Sequence, residues 1–117
     1  MREFKKLHIW HIGMELVREV YGFAKQLPRE ETYGLRSQMT RAAVSIPSNI
    51  AEGCGRESNL ETARYIEIAI ASSFELETQL IVCEEIGYLK KEETKHLQDR
   101  IQDFQKAASI YRRRLLE

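Results

Sequence analysis

The chain has 117 residues, 43% hydrophobic and 31% charged, with 18 basic and 18 acidic side chains. That length suits a single domain, 1–117, with a buried core, and zero net charge counts against a dedicated DNA-binding domain, which usually carries a basic excess. Two prolines and six glycines in the whole chain leave few breakers, which favours long helices.

The charge is unevenly spread. Residues 1–29 hold 6 basic and 3 acidic groups, and residues 88–117 hold 8 and 5. Residues 57–87 hold 1 basic and 7 acidic groups. Both ends are therefore basic and the third quarter is acidic. Cys54 and Cys83 form neither a disulfide framework nor a zinc-ligand spacing. The charged start, residues 1–6, is followed by no continuous apolar run, so no signal peptide is expected. No apolar stretch approaches the roughly 18 residues of a bilayer span. A cytoplasmic protein of bacterial type is expected.

The first helix is expected over about residues 9–27. Trp10, Gly13, Val17, Val20, Ala24 and Leu27 recur at helical spacing as one seam, widened by Ile9, Ile12, Leu16 and Phe23. Pro28 stops it, because proline disfavours helical geometry in the residue before it.

A second helix is expected over about residues 32–53, with Leu35, Met39, Ala42, Ile46 and Ile50 as its seam. Pro47 lies inside it and lacks the N–H that would bond the Ala43 carbonyl. The seam resumes in phase at Ile50, which predicts a kink near Pro47 rather than two helices. Gly53 and Gly55 end the helix.

Ser58 and Glu61 make a Ser-x-x-Glu capping box that opens a third helix, closed at Gly87. Ile66, Ala69, Ser73, Leu76, Leu80 and Cys83 form one seam, and Ile70, Phe74 and Ile81 a second beside it. A helix this apolar around its girth is contacted on more than one side. The fourth helix is expected over about residues 91–116. Leu97, Ile101, Phe104, Ala108, Tyr111 and Leu115 give the clearest heptad seam in the chain. Short connections make neighbours antiparallel. The expected fold is all-α, an up-down-up-down four-helix bundle.

Arg41, Ser45, Ser48, Glu52 and Arg56 share a face of the second helix, with Asn49 beside them. Glu77 lies at the edge of the apolar seams of the third helix, where a lone charge is costly. Arg41 is a suitable partner for it. This polar stripe reads as a network that fixes helix register, or as a partner surface. No serine in it has a paired histidine or a Gly-x-Ser-x-Gly elbow. Metal ligation is not expected, since the only Glu-x-x-His is Glu93 to His96, and His8 with His11 lacks further ligands. Gly53-Cys-Gly-Arg56 lacks the Walker pattern and reads as a helix-ending turn, with Cys54 exposed there. Arg112, Arg113 and Arg114 suit the dipole at a helix C-terminus. They could equally contact phosphates, and Lys5 and Lys6 could add to such a surface, as could Lys90 and Lys91.

Residues 33–53, YGLRSQMTRAAVSIPSNIAEG, closely resemble the signature of a bacterial family of small four-helix bundles encoded in intervening sequences of 23S ribosomal RNA genes. The resemblance extends to Leu7-His-Ile-Trp10, residues 27–35, residues 55–58, residues 68–80 and Gly87-Tyr-Leu89. It implies a non-catalytic bundle that oligomerises, since ring-shaped pentamers are known in that family. A distantly similar bundle is an accessory subunit of diversity-generating retroelements that binds reverse transcriptase and nucleic acid. The expectation is a non-enzymatic homo-oligomer associated with ribosomal RNA or ribonucleoprotein, contacting phosphates through Arg112, Arg113, Arg114, Lys5 and Lys6. The alternative is a protein–protein scaffold without nucleic-acid contact, using Arg41, Ser45, Ser48, Asn49, Glu52, Arg56 and Glu77 or a bundle end. No cofactor, metal, membrane or small-molecule substrate is expected.

Overall fold

The computed structural model describes residues 2–117. Four helices pack together: α1 (His8–Ala24), α2 (Leu35–Cys54), α3 (Asn59–Ile86) and α4 (Lys91–Leu115). Short 3-10 turns at Phe4–Lys6 and Arg29–Glu31 precede α1 and α2, and no strand occurs among the described residues. The whole measures 43 × 24 × 19 Å. Among the described residues, no helix is long and apolar enough to cross a membrane.

Residue pairs set the order of the helices. Ser45 meets Ser72 and Gly53 meets Thr62, so numbers rise along α2 as they fall along α3. Thr94 bonds Glu84, Gln105 bonds Glu77 and Arg112 bonds Glu67, the same relation between α4 and α3. Arg100 bonds Glu15 across the seam between α4 and α1.

The core follows the first expected seam of α3 and most of the α4 heptad, with Tyr111 half-buried and Phe74 and Ile81 of the second α3 seam exposed. Ile66, Ala69, Ser73, Leu76, Leu80 and Cys83 are buried, as are Leu97, Ile101, Phe104, Ala108 and Leu115. On α1 the seam is rotated from the expected one. Ile9, Ile12, Leu16 and Val20 are buried deepest, while Trp10 and Val17 flank the core. On α2, Ala43 and Cys54 join the expected Met39, Ala42, Ile46 and Ile50.

Two helix boundaries differ from expectation for local reasons. α1 ends at Ala24, and α2 begins at Leu35 rather than Thr32. Between them Pro28 leads into the 3-10 turn, and Gly34 adopts φ −108, ψ −114, outside helical geometry. Glu31 Oε1 then accepts the Leu35 N–H at 3.0 Å, satisfying one free donor of the new helix. α2 runs on through Gly53 to Cys54, with Pro47 inside it.

The remaining ends follow the sequence. Ser58 Oγ accepts the Glu61 N–H at 3.1 Å and opens α3. Gly87, at φ 95, closes it in the left-handed region, where a side chain would be strained. Glu93 accepts the Lys90 N–H at 3.0 Å at the start of α4.

α2 and α3 approach each other closely at Gly53. A Cβ there would lie 2.6 Å from Tyr65 Cβ, closer than packed atoms allow. Thr62 is buried beside it and donates to the Gly53 carbonyl at 2.8 Å.

Candidate functional site

Two regions gather the residues that sequence singled out. The first is the end of the bundle where α1 starts and α4 finishes. Leu7, His8 and Ile9 share a groove of about 340 Å³ with Ala107, Ile110, Tyr111 and Arg114. The last turns of α4 therefore lie against the first turn of α1. Lys5 and Lys6 sit in the 3-10 turn that leads into α1, and both are exposed. Lys5 Nζ lies 5.8 Å from the Phe4 ring centroid, and Phe4 packs edge-on to Trp10 at 5.4 Å. His11 Nε2 sits 2.6 Å from the Lys5 carbonyl, which pins that turn to α1.

Arg113 and Arg114 are exposed and pair with no carboxylate among the described residues. Arg112 differs. It donates to Glu67 Oε2 at 2.9 Å and ties α4 to α3. Part of its charge is thus spent on a structural contact. Lys90 and Lys91 stand at the start of α4, the opposite end of that helix, so they add nothing to this cationic surface.

The second region is the polar stripe of α2. It forms a small network with α3. Ser45 Oγ and Ser72 Oγ are 2.8 Å apart. Asn49 Nδ2 donates to the Ser45 carbonyl and hydroxyl at 2.8 and 2.9 Å. Arg56 bridges Glu52 at 3.5 Å and stacks 4.9 Å from the Tyr65 ring centroid. Ser48 is exposed and faces α1 across a groove of about 290 Å³, lined also by Trp10, Met14, Val17, Val44, Pro47 and Ala51.

Arg41 does not pair with Glu77. Glu77 Oε1 accepts instead from Gln105 Nε2 at 3.0 Å, because that face of α3 is turned toward α4. Arg41 lines a different groove, of about 290 Å³ between α2 and α3, with Gln38, Ala42, Ser45, Glu75 and Gln79. Gln79 is only 8% exposed, and its Oε1 has no hydrogen-bond partner. Nothing in the sequence marks Gln79, a polar residue between Thr78 and Leu80.

Cys54 is buried, contrary to the exposure expected of a turn. The chain start folds over it, with the Arg2 N–H bonded to the Cys54 carbonyl at 3.1 Å. Burial pushes both thiols up, Cys83 to about 11, so neither is a ready nucleophile. Glu93 and His96 do not converge. His96 faces Glu19 at 3.7 Å, and with Glu15 these three groups offer ligand atoms within 4.8 Å of one another. Arg100 already holds both Glu15 oxygens, at 2.7 and 3.0 Å, so a cation there would compete with a guanidinium.

The sequence model of the 23S rRNA-intervening sequence proteins matches residues 5–109. The chain belongs to that family. Among solved structures it resembles a protein of unknown function from the S23 ribosomal protein family of Bacteroides thetaiotaomicron. The two share 19% identity at a TM-score of 0.79, over 86% of this chain and 94% of that one. At that identity the likeness is one of fold. No curated protein matches the chain. The family match takes in the whole polar stripe of α2, together with Lys5 and Lys6, and stops before Arg112, Arg113 and Arg114.

Proposed function

We propose that this protein is a non-enzymatic homo-oligomer that binds RNA through backbone phosphates at the α1-start, α4-finish end of the bundle. The observation that carries the reading is the shared groove of His8 and Arg114. It brings Arg113 and Arg114 to the same end as Lys5 and Lys6, although more than 100 residues separate them in the chain. Unpaired cations clustered on one rim attract polyanions, and their effect multiplies when copies are arranged around an axis. The family's description names 23S rRNA, which supports RNA as the polyanion.

Exposed apolar surface supports assembly. Phe74 is 54% and Ile81 45% exposed on α3, with Ile68, Val82 and Ile86 also open to solvent. The groove beside Trp10 and Val44 is a different apolar surface, on α1 and α2. Two unlike patches join copies head to tail, and such contacts close into rings when the rotation allows. The acidic run at 57–87 against the basic residues 1–29 gives that contact complementary charge. A pentameric ring is the form expected from the family.

The test is titration of the purified protein against a labelled structured RNA at low and high salt. Tight binding that weakens steeply with salt is expected. An Arg113→Glu/Arg114→Glu protein should lose that binding while keeping its helical content. Unchanged affinity in that variant overturns the site. Sedimentation equilibrium at micromolar concentration tests assembly. A multimer that Phe74→Glu/Ile81→Glu reduces to monomer is expected, and a monomeric parent protein overturns that part.

The Trp10–Val44 groove favours a second reading. An apolar helix of another protein seated there would make the bundle a scaffold without nucleic-acid contact. Absence of RNA binding even at low salt favours it.

A further inference from the structure

We infer that the groove between the start of α1 and the end of α4 receives an unpaired base of the bound RNA, so that the protein takes loops, bulges and strand ends in preference to duplex. The slot rests on the phosphate-binding rim proposed above and adds a contact to the base.

The lining is built from two elements. From α4 come Ala107, Ile110, Tyr111 and Arg114, which recur at three- and four-residue spacing and so share one face. From the start of α1 and the residue before it come Leu7, His8 and Ile9. Ile9 belongs to the core, and Leu7, Ala107 and Tyr111 are half-buried beside it. Ile110 is 42% exposed, hydrocarbon left in water at the side of the groove. The lining is therefore mostly apolar, and it holds two aromatic residues, His8 and Tyr111. No carboxylate lines it among the described residues.

The setting decides the occupant. Arg114 lines the groove, Arg113 precedes it, and Lys5 and Lys6 lie in the turn just before Leu7. A bare phosphate would use these cations and leave Ile110 and Tyr111 in water. An apolar side chain of a partner protein would fill the groove and leave the cations unused. A nucleotide carries a flat ring joined to a phosphate and meets both. The volume, about 340 Å³, lies at the small end of ligand pockets and suits one heterocycle rather than a helix. In an A-form duplex the base faces are stacked on one another and out of reach. Only unpaired nucleotides can lay a ring against Tyr111 or His8.

The walls are set before RNA arrives. His11 Nε2 lies 2.6 Å from the Lys5 carbonyl, and Phe4 packs edge-on to Trp10, which together fix the entry to α1. Leu115, next to Arg114, is buried and holds the last turn of α4 to the core. Little ordering remains for binding to impose.

The test uses full-length protein and three RNAs with equal numbers of phosphates. These are a stem with an unpaired loop, the same stem-loop with abasic loop nucleotides, and a blunt duplex. Affinities are read by fluorescence anisotropy at one low salt concentration. The loop RNA should bind about tenfold tighter than either control, in keeping with one base stacked on an aromatic side chain. Tyr111→Leu keeps apolar bulk without the ring, and it should remove that advantage while leaving duplex affinity unchanged. Tyr111→Phe should retain the advantage. In the parent protein the Ile110 methyl NMR signals should move upfield, through the ring current of a seated base, with the loop RNA and not with its abasic form. Equal affinity for all three RNAs overturns the base slot and leaves the phosphate-binding rim standing. Binding to none of them overturns both. Ile110 methyls unmoved at saturating loop RNA overturn the slot, as does a loop preference that survives in Tyr111→Leu.

Discussion

Arg100 grips Glu15 with two hydrogen bonds, Nε to Oε2 at 2.7 Å and one Nη to Oε1 at 3.0 Å. The pair ties the middle of α4 to the middle of α1. Arg100 also reaches Asp103 at 3.0 Å, so its planar fork is held from two sides. Both partners of the main pair are partly solvent-exposed, which holds its contribution to about 1 kcal/mol. Arg100→Gln and Glu15→Gln should each lower unfolding free energy by about that amount. Urea denaturation of the singles and the double variant checks it, since the double variant's destabilisation should be well below the sum.

The same pair predicts an acid dependence. Glu15 is held below its ordinary value of 4.5, first by its hydrogen bond from Arg100 and against the desolvation of burial. A carboxyl depressed in the folded state contributes stability that is full above its unfolded value. That contribution is lost as pH falls through the folded value. The stability gap between the parent protein and Glu15→Gln should be open near neutrality and shrink below pH 4.5. Urea midpoints measured across that range provide the check. A gap that widens on acidification contradicts the assignment.

Gly53 in α2 and Gly22 in α1 should respond oppositely to alanine. At Gly53 the added Cβ meets Tyr65 Cβ at 2.6 Å, both on helix backbones that cannot easily separate. Gly53→Ala should cost about 1–3 kcal/mol through overpacking. Gly22 is exposed within α1, and its Cβ would meet nothing within 4 Å. Gly22→Ala should stabilise by about 0.5–1 kcal/mol, the helix-propensity difference. Thermal melts of the two variants should move in opposite directions.

Lys90→Glu/Lys91→Glu should leave RNA affinity unchanged, because these lysines stand at the other end of α4 from Arg113 and Arg114. Lys5→Glu/Lys6→Glu should weaken it and flatten its salt dependence, by about 0.7–0.9 in log–log slope for each phosphate no longer neutralised. Equilibrium binding at several salt concentrations separates the two variants. Equal weakening in both would mean attraction by net charge rather than by one end of the bundle.

Both thiols should be silent toward an aromatic disulfide reagent in the folded protein. Cys83 is buried with its pKa pushed to about 11, and Cys54 is buried and raised as well. Two equivalents should react on unfolding in denaturant, at the rate of unfolding. Prompt reaction of one thiol in native buffer would show that the Arg2 segment does not cover Cys54.

The parts of this fold that sequence disclosed are those that depend on spacing alone. The α4 heptad from Leu97 to Leu115 sets a regular apolar seam against largely polar flanks, so one face is marked for burial. α1 is less legible because apolar residues occupy half its circumference. Ile9, Ile12 and Leu16 compete there with Trp10 and Val17, and packing by α2 decides between them. The capping box at Ser58 is readable from two residues. The 3-10 turn at Arg29–Glu31 is not, since it depends on the Gly34 backbone. Spacing puts Arg41 at the correct level of α3 but suggests the wrong partner. Glu75 and Gln79 face α2 there, while Glu77 faces α4, a rotation that only a third helix can set. Gln79 stands out only through burial, a three-dimensional property with no local signature.

The contacts between α2 and α3 differ in kind from those between α1 and α4. Gly53 admits Tyr65, Ser45 meets Ser72, and the Cys83 thiol lies 3.6 Å from the Met39 sulfur. These interlock along most of the length of α2, and sliding by one turn would set hydroxyls against hydrocarbon. The side-chain polar contacts between α1 and α4 are Arg100 with Glu15 and His96 beside Glu19, groups that water can replace. The bundle should therefore breathe asymmetrically. Its α2–α3 half would behave as a keel, with amide exchange slowest there, and the α1–α4 seam would be the first to part.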